Sequence, residues 1–274
     1  MTLTIGTGPF GQTPGGVFNG RWEGPAHVLY LEDSPRHVRG VFAGVTVVDS
    51  RRTKLMHETG LLPVWYFPRP DVDFGVLEPS AHTTHCPFKG DASYWSVRVG
   101  DRVAEDAVWG YPDPLEGAPP IAEHVALYFA ALDAWFEEDE EVFVHPRDPY
   151  HRVDALASSR HVRVSLDGRV LAESARPVVL FETGLPPRCY LPREDVTADL
   201  EPSETTSRCP YKGTAGYWSV DGAGAGGVDL VWTYPEPLPG VGAIAGRACF
   251  HDERVDVDVD GVRQERPRTR WSPR

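Results

Sequence analysis

The chain has 274 residues, room for two domains of ordinary size, and its 27 Lys and Arg against 40 Asp and Glu give a formal net charge of -13. That acidic balance argues against nucleic acid as a main partner, because phosphate binding is driven by a surplus of Lys and Arg. With 41% hydrophobic and 11% aromatic residues the chain is not wholly disordered, and Gly 27 with Pro 26 points to strands joined by many turns.

Taken from the start, Met1 to Gly16 is polar and Gly-rich, unlike a signal peptide, and no stretch approaches the roughly 20 apolar residues of a membrane span. A soluble, cytoplasmic protein with no membrane partner is expected. Further on, the chain repeats itself. Arg36-His37-Val38-Arg39 returns as Arg160-His161-Val162-Arg163, Glu58-Thr59-Gly60-Leu61 as Glu182-Thr183-Gly184-Leu185, and Leu77-Glu78-Pro79-Ser80 as Leu200-Glu201-Pro202-Ser203. The longest match runs from Thr84 to Val97 and again from Ser207 to Val220, each copy carrying Cys-Pro-aromatic-Lys-Gly and Tyr-Trp-Ser-Val. Tyr111-Pro112-Asp113-Pro114-Leu115 is answered by Tyr234-Pro235-Glu236-Pro237-Leu238. A repeat of this length is a duplicated domain, not a solenoid unit. The matched segments divide the chain into an N-terminal extension 1–35, a first β domain 36–145, a linker 146–159, a second β domain 160–267 and a tail 268–274.

The elements read as strands. Val162, Val164 and Leu166 alternate with polar residues, Asp167-Gly168 supplies a hairpin turn, and Val170 with Ala172 returns. In Tyr94 to Val97 and Tyr217 to Val220, Trp and Val share one face while Tyr and Ser share the other. Val255, Val257 and Val259 precede a turn at Asp260-Gly261. Ile121 to Glu141 looks helical on its Ala, Leu and Glu content, but its repeat partner ends as a strand, and a duplicated domain keeps one topology. The acidic run Glu137 to Glu141 reads as a solvated loop.

Chemistry concentrates at the repeated turn. Proline after Cys86 and Cys209 presets a β-turn, which makes each cysteine a neighbour of Lys89 or Lys212. An ammonium beside a thiol favours thiolate, so Cys86 and Cys209 are candidate nucleophiles, Lys89 and Lys212 their activators, and Glu58 and Glu182 proton carriers. A small cysteine packed in a β-corner, with its lysine reaching water, explains the same letters. Arg69 and Arg193, each after a proline, pair with the glutamates or, with Tyr94 and Tyr217, line a ligand site. Trp109 with Tyr111 and Trp232 with Tyr234 form a core wall or a pocket wall. His82, His85 and Cys86 have a metal-like look, but Thr205 and Arg208 stand at the two histidine positions of the second copy; no metal and no cofactor are expected. Cys189 and Cys249 are unshared and read as core.

The Cys-Pro-aromatic-Lys-Gly-x-Ala-x-Tyr-Trp-Ser-Val string, with the Glu-Thr-Gly and Tyr-Pro-(Asp/Glu)-Pro-Leu elements, resembles the domain-of-unknown-function family 427 in both halves, in the tandem form of actinobacterial members. The resemblance implies two mainly β domains of the β-tent type, similar to methionine sulfoxide reductase B and to the ligand-binding domain of cereblon. The four zinc-binding cysteines of those relatives have no counterpart here. A nucleotidyltransferase-like label attached to the family implies nucleotide chemistry, although no phosphate-binding loop stands in the sequence. The leading expectation is recognition of a small polar or aromatic metabolite in duplicated concave pockets around the Cys-Pro-x-Lys-Gly turns, with catalysis through the cysteines, a non-catalytic binding module, or nucleotidyl transfer as the alternatives.

Overall fold

The computed structural model describes residues 3–21, 23–269 and 272. The chain divides into two compact units, 1–150 and 151–274. In the first, strands β1 (Leu29–Asp33), β2 (Val38–Phe42), β3 (Val45–Ser50), β4 (Lys54–Glu58), β5 (Val64–Pro68), β6 (Leu77–Cys86), β7 (Gly90–Val99), β8 (Arg102–Gly110), β9 (His124–Leu127), β10 (Ala134–Glu137) and β11 (Glu140–Val142) form two antiparallel sheets. The large sheet has the order β1-β4-β5-β9-β8-β7-β6 and the small one β11-β10-β2-β3.

The second unit repeats this with β12 (Val153–Ala157), β13 (Val162–Leu166), β14 (Arg169–Ser174), β15 (Val178–Glu182), β16 (Arg188–Leu191), β17 (Leu200–Cys209), β18 (Gly213–Val220), β19 (Val231–Thr233), β20 (Ala248–Phe250), β21 (Asp256–Val259) and β22 (Val262–Arg263). Its sheets run β12-β15-β16-β20-β19-β18-β17 and β14-β13-β21-β22, strand for strand the same topology. The protein is mainly β, two tandem domains of one fold, and neither sheet pair closes into a barrel. Among the described residues no helix is long and apolar enough to cross a membrane.

Burial follows the period-2 pattern of strands. In β5, Trp65 and Phe67 point into the core between the sheets with Val38, Val97, Val108 and Trp135, while Tyr66 lies on the outer face of the large sheet among Met56, Tyr94, Tyr111 and Ile121. The second domain packs Val162, Leu171, Leu191 and Phe250 inside, and Leu180, Tyr190, Tyr234 and Ile244 outside. Cys189 faces the inner core and Cys249 is fully buried in the outer cluster. Size is exchanged between copies at one contact. Gly40 pairs with Trp135 across β2 and β10, where a Cβ on Gly40 would stand 2.7 Å from the indole; at the matching place Val164 pairs with Val257.

Three expectations need correction. Residues 1–35 are not all extension, nor 146–159 all linker: β1 pairs along β4 and β12 along β15, so each large sheet begins in those stretches. Leu29-Tyr30-Leu31 and Val153-Asp154-Ala155 share no residue, so the duplication alone does not mark them. The acidic run is no free loop either. It turns from β10 into β11, and Glu137 is buried against Arg36, whose guanidinium reaches its carboxylate at 2.7 Å. The segment after Ile121 is strand, as the repeat requires, interrupted by a single 3-10 turn at Phe129–Ala131.

Candidate functional site

The Cys86-Pro87-Phe88-Lys89 turn forms as the proline dictates: it joins β6 to β7, and the Lys89 N–H donates to the Cys86 carbonyl at 3.3 Å. Gly90 follows with φ +101°, and a Cβ there would press on the Asp113 carbonyl at 3.3 Å; Gly213 has the same φ and meets Glu236 at the same distance. Those carbonyls belong to the Tyr-Pro-(Asp/Glu)-Pro-Leu segments. Leu115 N–H donates to the Lys89 carbonyl at 3.1 Å and Leu238 N–H to that of Lys212 at 3.0 Å, so two of the repeated motifs exist to pack on each other.

The lysine side chains do not serve the thiols as expected. The Lys89 ammonium is hydrogen-bonded to the Glu58 carboxylate and that of Lys212 to Glu182. Both lysines and Glu58 are buried. A buried charge requires a charged or hydrogen-bonding partner, and glutamate satisfies the ammonium where a thiol would not. The Cys86 thiol packs instead against the outer cluster beside Tyr111, whose hydroxyl is pushed up first by burial and next by that thiol. In the second copy burial, then Cys209, pushes up Tyr234.

A third residue completes each cluster. His27 Nε2 lies 3.0 Å from the free oxygen of Glu58, and His151 Nε2 lies 3.1 Å from that of Glu182. The aromatic residue of the turn stacks flat on the imidazole: Phe88 on His27 at 3.7 Å, Tyr211 on His151 at 3.9 Å. For Glu182, burial pushes the carboxyl up, but His151 and Lys212 outweigh it and hold it at about 2. The clusters differ in cover, the His27 side chain being 25% exposed and that of His151 4%. Neither histidine figures among the candidates drawn from sequence, although both stand 124 residues apart like Glu58 and Glu182; the offset, carried upstream of Arg36, finds them.

The ammonium–carboxylate contact also shapes the sheet. Lys89 leaves the tip of the β6–β7 hairpin, while Glu58 ends β4, with β5, β9 and β8 between them in the sheet order. In a flat sheet four strand spacings are about 19 Å, beyond the reach of a lysine. The large sheet must curl to make the bond. Its hollow holds Tyr66, Tyr111 and Ile121, all buried. The expected pocket at the turn is therefore packed with side chains, and two open clefts lie elsewhere: one of about 460 Å³ lined by residues that include Pro9, Phe10, Val17, Phe18 and Val28, another of about 330 Å³ between Thr46 and Asp73.

Arg69 and Tyr94 do not share a face. The Arg69 guanidinium lies over the rings of Phe74 and Trp95, at 4.4 and 5.2 Å, and Arg193 over Trp218 at 5.5 Å, so neither arginine reaches its glutamate. Adjacent residues of a strand point oppositely, which puts Tyr94 and Tyr217 on the outer side. There Tyr94 hydroxyl bonds Thr84 and Tyr217 hydroxyl bonds Ser207, each at 2.9 Å. Trp109 and Tyr128 meet at 4.4 Å beside Tyr94, with His82 edge-on at 4.5 Å; Tyr128 is half exposed. His85 pairs with Asp91 at 2.6 Å, and among the described residues no group of three His, Cys, Asp or Glu side chains is placed to hold a metal ion.

The family model described as Domain of unknown function (DUF427), labelled NTP_transf_9, matches residues 30–138 and again 154–261. The chain belongs to the DUF427 family. The two matches begin at β1 and β12, the strands that the repeat left outside the domains, and each contains the Lys–Glu pair of its cluster, while His27 and His151 lie just upstream of the matched residues. No curated protein matches the chain.

Proposed function

We propose that this tandem DUF427 protein is a binding module in which each domain recognises a small polar or aromatic molecule on the exposed outer rim of its large sheet. The observation that carries the reading is the duplicated pair of a strand tyrosine and a tryptophan, Tyr94 with Trp109 and Tyr217 with Trp232, cross-strand neighbours on a face otherwise packed, of which Trp109, Tyr217 and Trp232 are partly exposed while Tyr94 is buried. Rings with a hydroxyl at the edge offer both an apolar surface and a polar handle. Binding is favoured over cysteine catalysis because each lysine of the turn is committed to a glutamate.

The test is titration of the full chain with indole and phenol, read at the indole N–H resonances of Trp109 and Trp232, assigned through W109F and W232F. Saturable movement of both resonances, unchanged in a C86A/C209A variant, is expected. Stationary resonances with either probe overturn the reading, as does loss of the response on removing the cysteines.

A further inference from the structure

Resting on that reading, the two rims differ in a way that points to different ligands. Tyr128 and His251 occupy the same place: Tyr128 N–H donates to the Ala107 carbonyl at 2.9 Å, and His251 N–H to that of Leu230 at 3.1 Å. The residue before each of those carbonyls is Asp106 or Asp229. In the first domain burial, and then the neighbouring Tyr94, push the titration of Tyr128 up to about 12. In the second, the His251 ring stands 4.6 Å from Trp232 and 6.4 Å from Tyr217, a third side to the aromatic wall.

Two polar atoms beside that wall lack what burial demands. Asp229 Oδ2 accepts from Thr205 at 2.7 Å, but Oδ1 is buried with no hydrogen-bond partner. His251 Nδ1 is likewise buried and unpartnered, 4.0 Å from the Glu253 carboxylate and so beyond hydrogen-bond reach. An unmet buried carboxylate oxygen is costly enough to call for a donor supplied from outside the chain. Asp106 has no such orphan oxygen.

The surrounding charges agree. The groups acting on His251 are Glu253, Arg254, Arg188 and Asp229. Arg188 is held by Glu253 and Asp252, and the Arg254 guanidinium by the Gly226 carbonyl at 2.7 Å, leaving Asp229 without a cation. Burial, opposed by Glu253, pushes His251 down to about 4, so at neutral pH the imidazole is uncharged and one ring nitrogen accepts.

We propose that the second domain alone binds a planar cation with several N–H donors, of the amidine or guanidine class, its ring against Trp232 and Tyr217 and its N–H groups on Asp229 and His251. A charge-assisted hydrogen bond and a cation over aromatic faces both favour such a group.

The experiment compares benzamidinium, neutral benzamide and benzoate on the full chain, read at the same two tryptophan resonances. Benzamidinium should bind about tenfold more tightly than benzamide at Trp232, with no such ratio at Trp109. The ratio should vanish in D229N, and in H251Y, which installs the residue of the first domain. Equal affinity of the cation and the neutral amide at Trp232, or the same preference at Trp109, overturns the assignment while leaving rim binding intact. If no aromatic probe moves either resonance, rim binding itself fails. Should D229N not fold, the probe series on the unaltered chain still decides.

Discussion

Lys89, at the tip of the β6–β7 hairpin, is hydrogen-bonded to Glu58 at the end of β4, across three intervening strands of the same sheet. The bond closes the curl of the large sheet, and Lys212 with Glu182 repeats it. Removing one partner of a buried pair leaves the other uncompensated. K89M is expected to destabilise the first domain by about 3 kcal/mol, and K89M/E58Q to recover part of that loss, because the double variant buries no lone charge. Urea unfolding of the unaltered chain, K89M, E58Q and K89M/E58Q gives the coupling; a loss in the double variant equal to the sum of the two single losses would show that the pair contributes nothing.

Acid should act on the second copy through Glu182. Its carboxyl lies at about 2 in the folded chain, below the ordinary value of 4.5, so the stability it contributes is present above pH 4.5 and is lost as pH falls toward 2. The contribution is on the order of 3 kcal/mol. E182Q should show a flatter dependence of unfolding free energy on pH across that window than the unaltered chain, and parallel curves would contradict it.

Asp252 should behave with the opposite sign. Burial raises its carboxyl to about 6 against 3.8, with Arg188 opposing, so its stabilising contribution is greatest below pH 3.8 and is lost as pH rises through 6. D252N is expected to raise the melting temperature at pH 7.5 more than at pH 4, measured by calorimetry. A larger gain at the lower pH would refute it.

The thiols of Cys86 and Cys209 should label no faster than an ordinary free thiol, since each neighbouring ammonium belongs to a carboxylate. Fast labelling of either at neutral pH would restore the activated-nucleophile reading.

Ala43 turns β2 into β3 with φ 49°, where the second copy has Asp167 at φ 50°. A left-handed conformation costs alanine more than asparagine, so A43N should stabilise the first domain by about 0.5 to 1 kcal/mol. Chemical denaturation measures it, and a loss of stability would count against the turn geometry.

Much of the fold could be read from residues. The Asp-Gly turns, the valine alternation of β13 and β21, and the repeat itself fix the strands, and the repeat corrects the helical propensity after Ile121, where Val125 and Leu127 pack inward and Ala126 outward as in β20. The Cys-Pro corner was legible as a turn because proline sets the backbone locally. Where Lys89 would send its ammonium was not: the turn brings Cys86 near in sequence, while the curl brings Glu58 near in space.

Sequence by itself therefore determined two copies of one β topology, their turns and the residue types that carry charge, because alternation and turn chemistry act over a few residues. Only the tertiary structure decided which charges meet, that His27 and His151 join them, and that Arg69 and Tyr94 part to opposite faces. Sheet curl and strand order span dozens of residues, and the side chains they bring together leave no local mark in the chain.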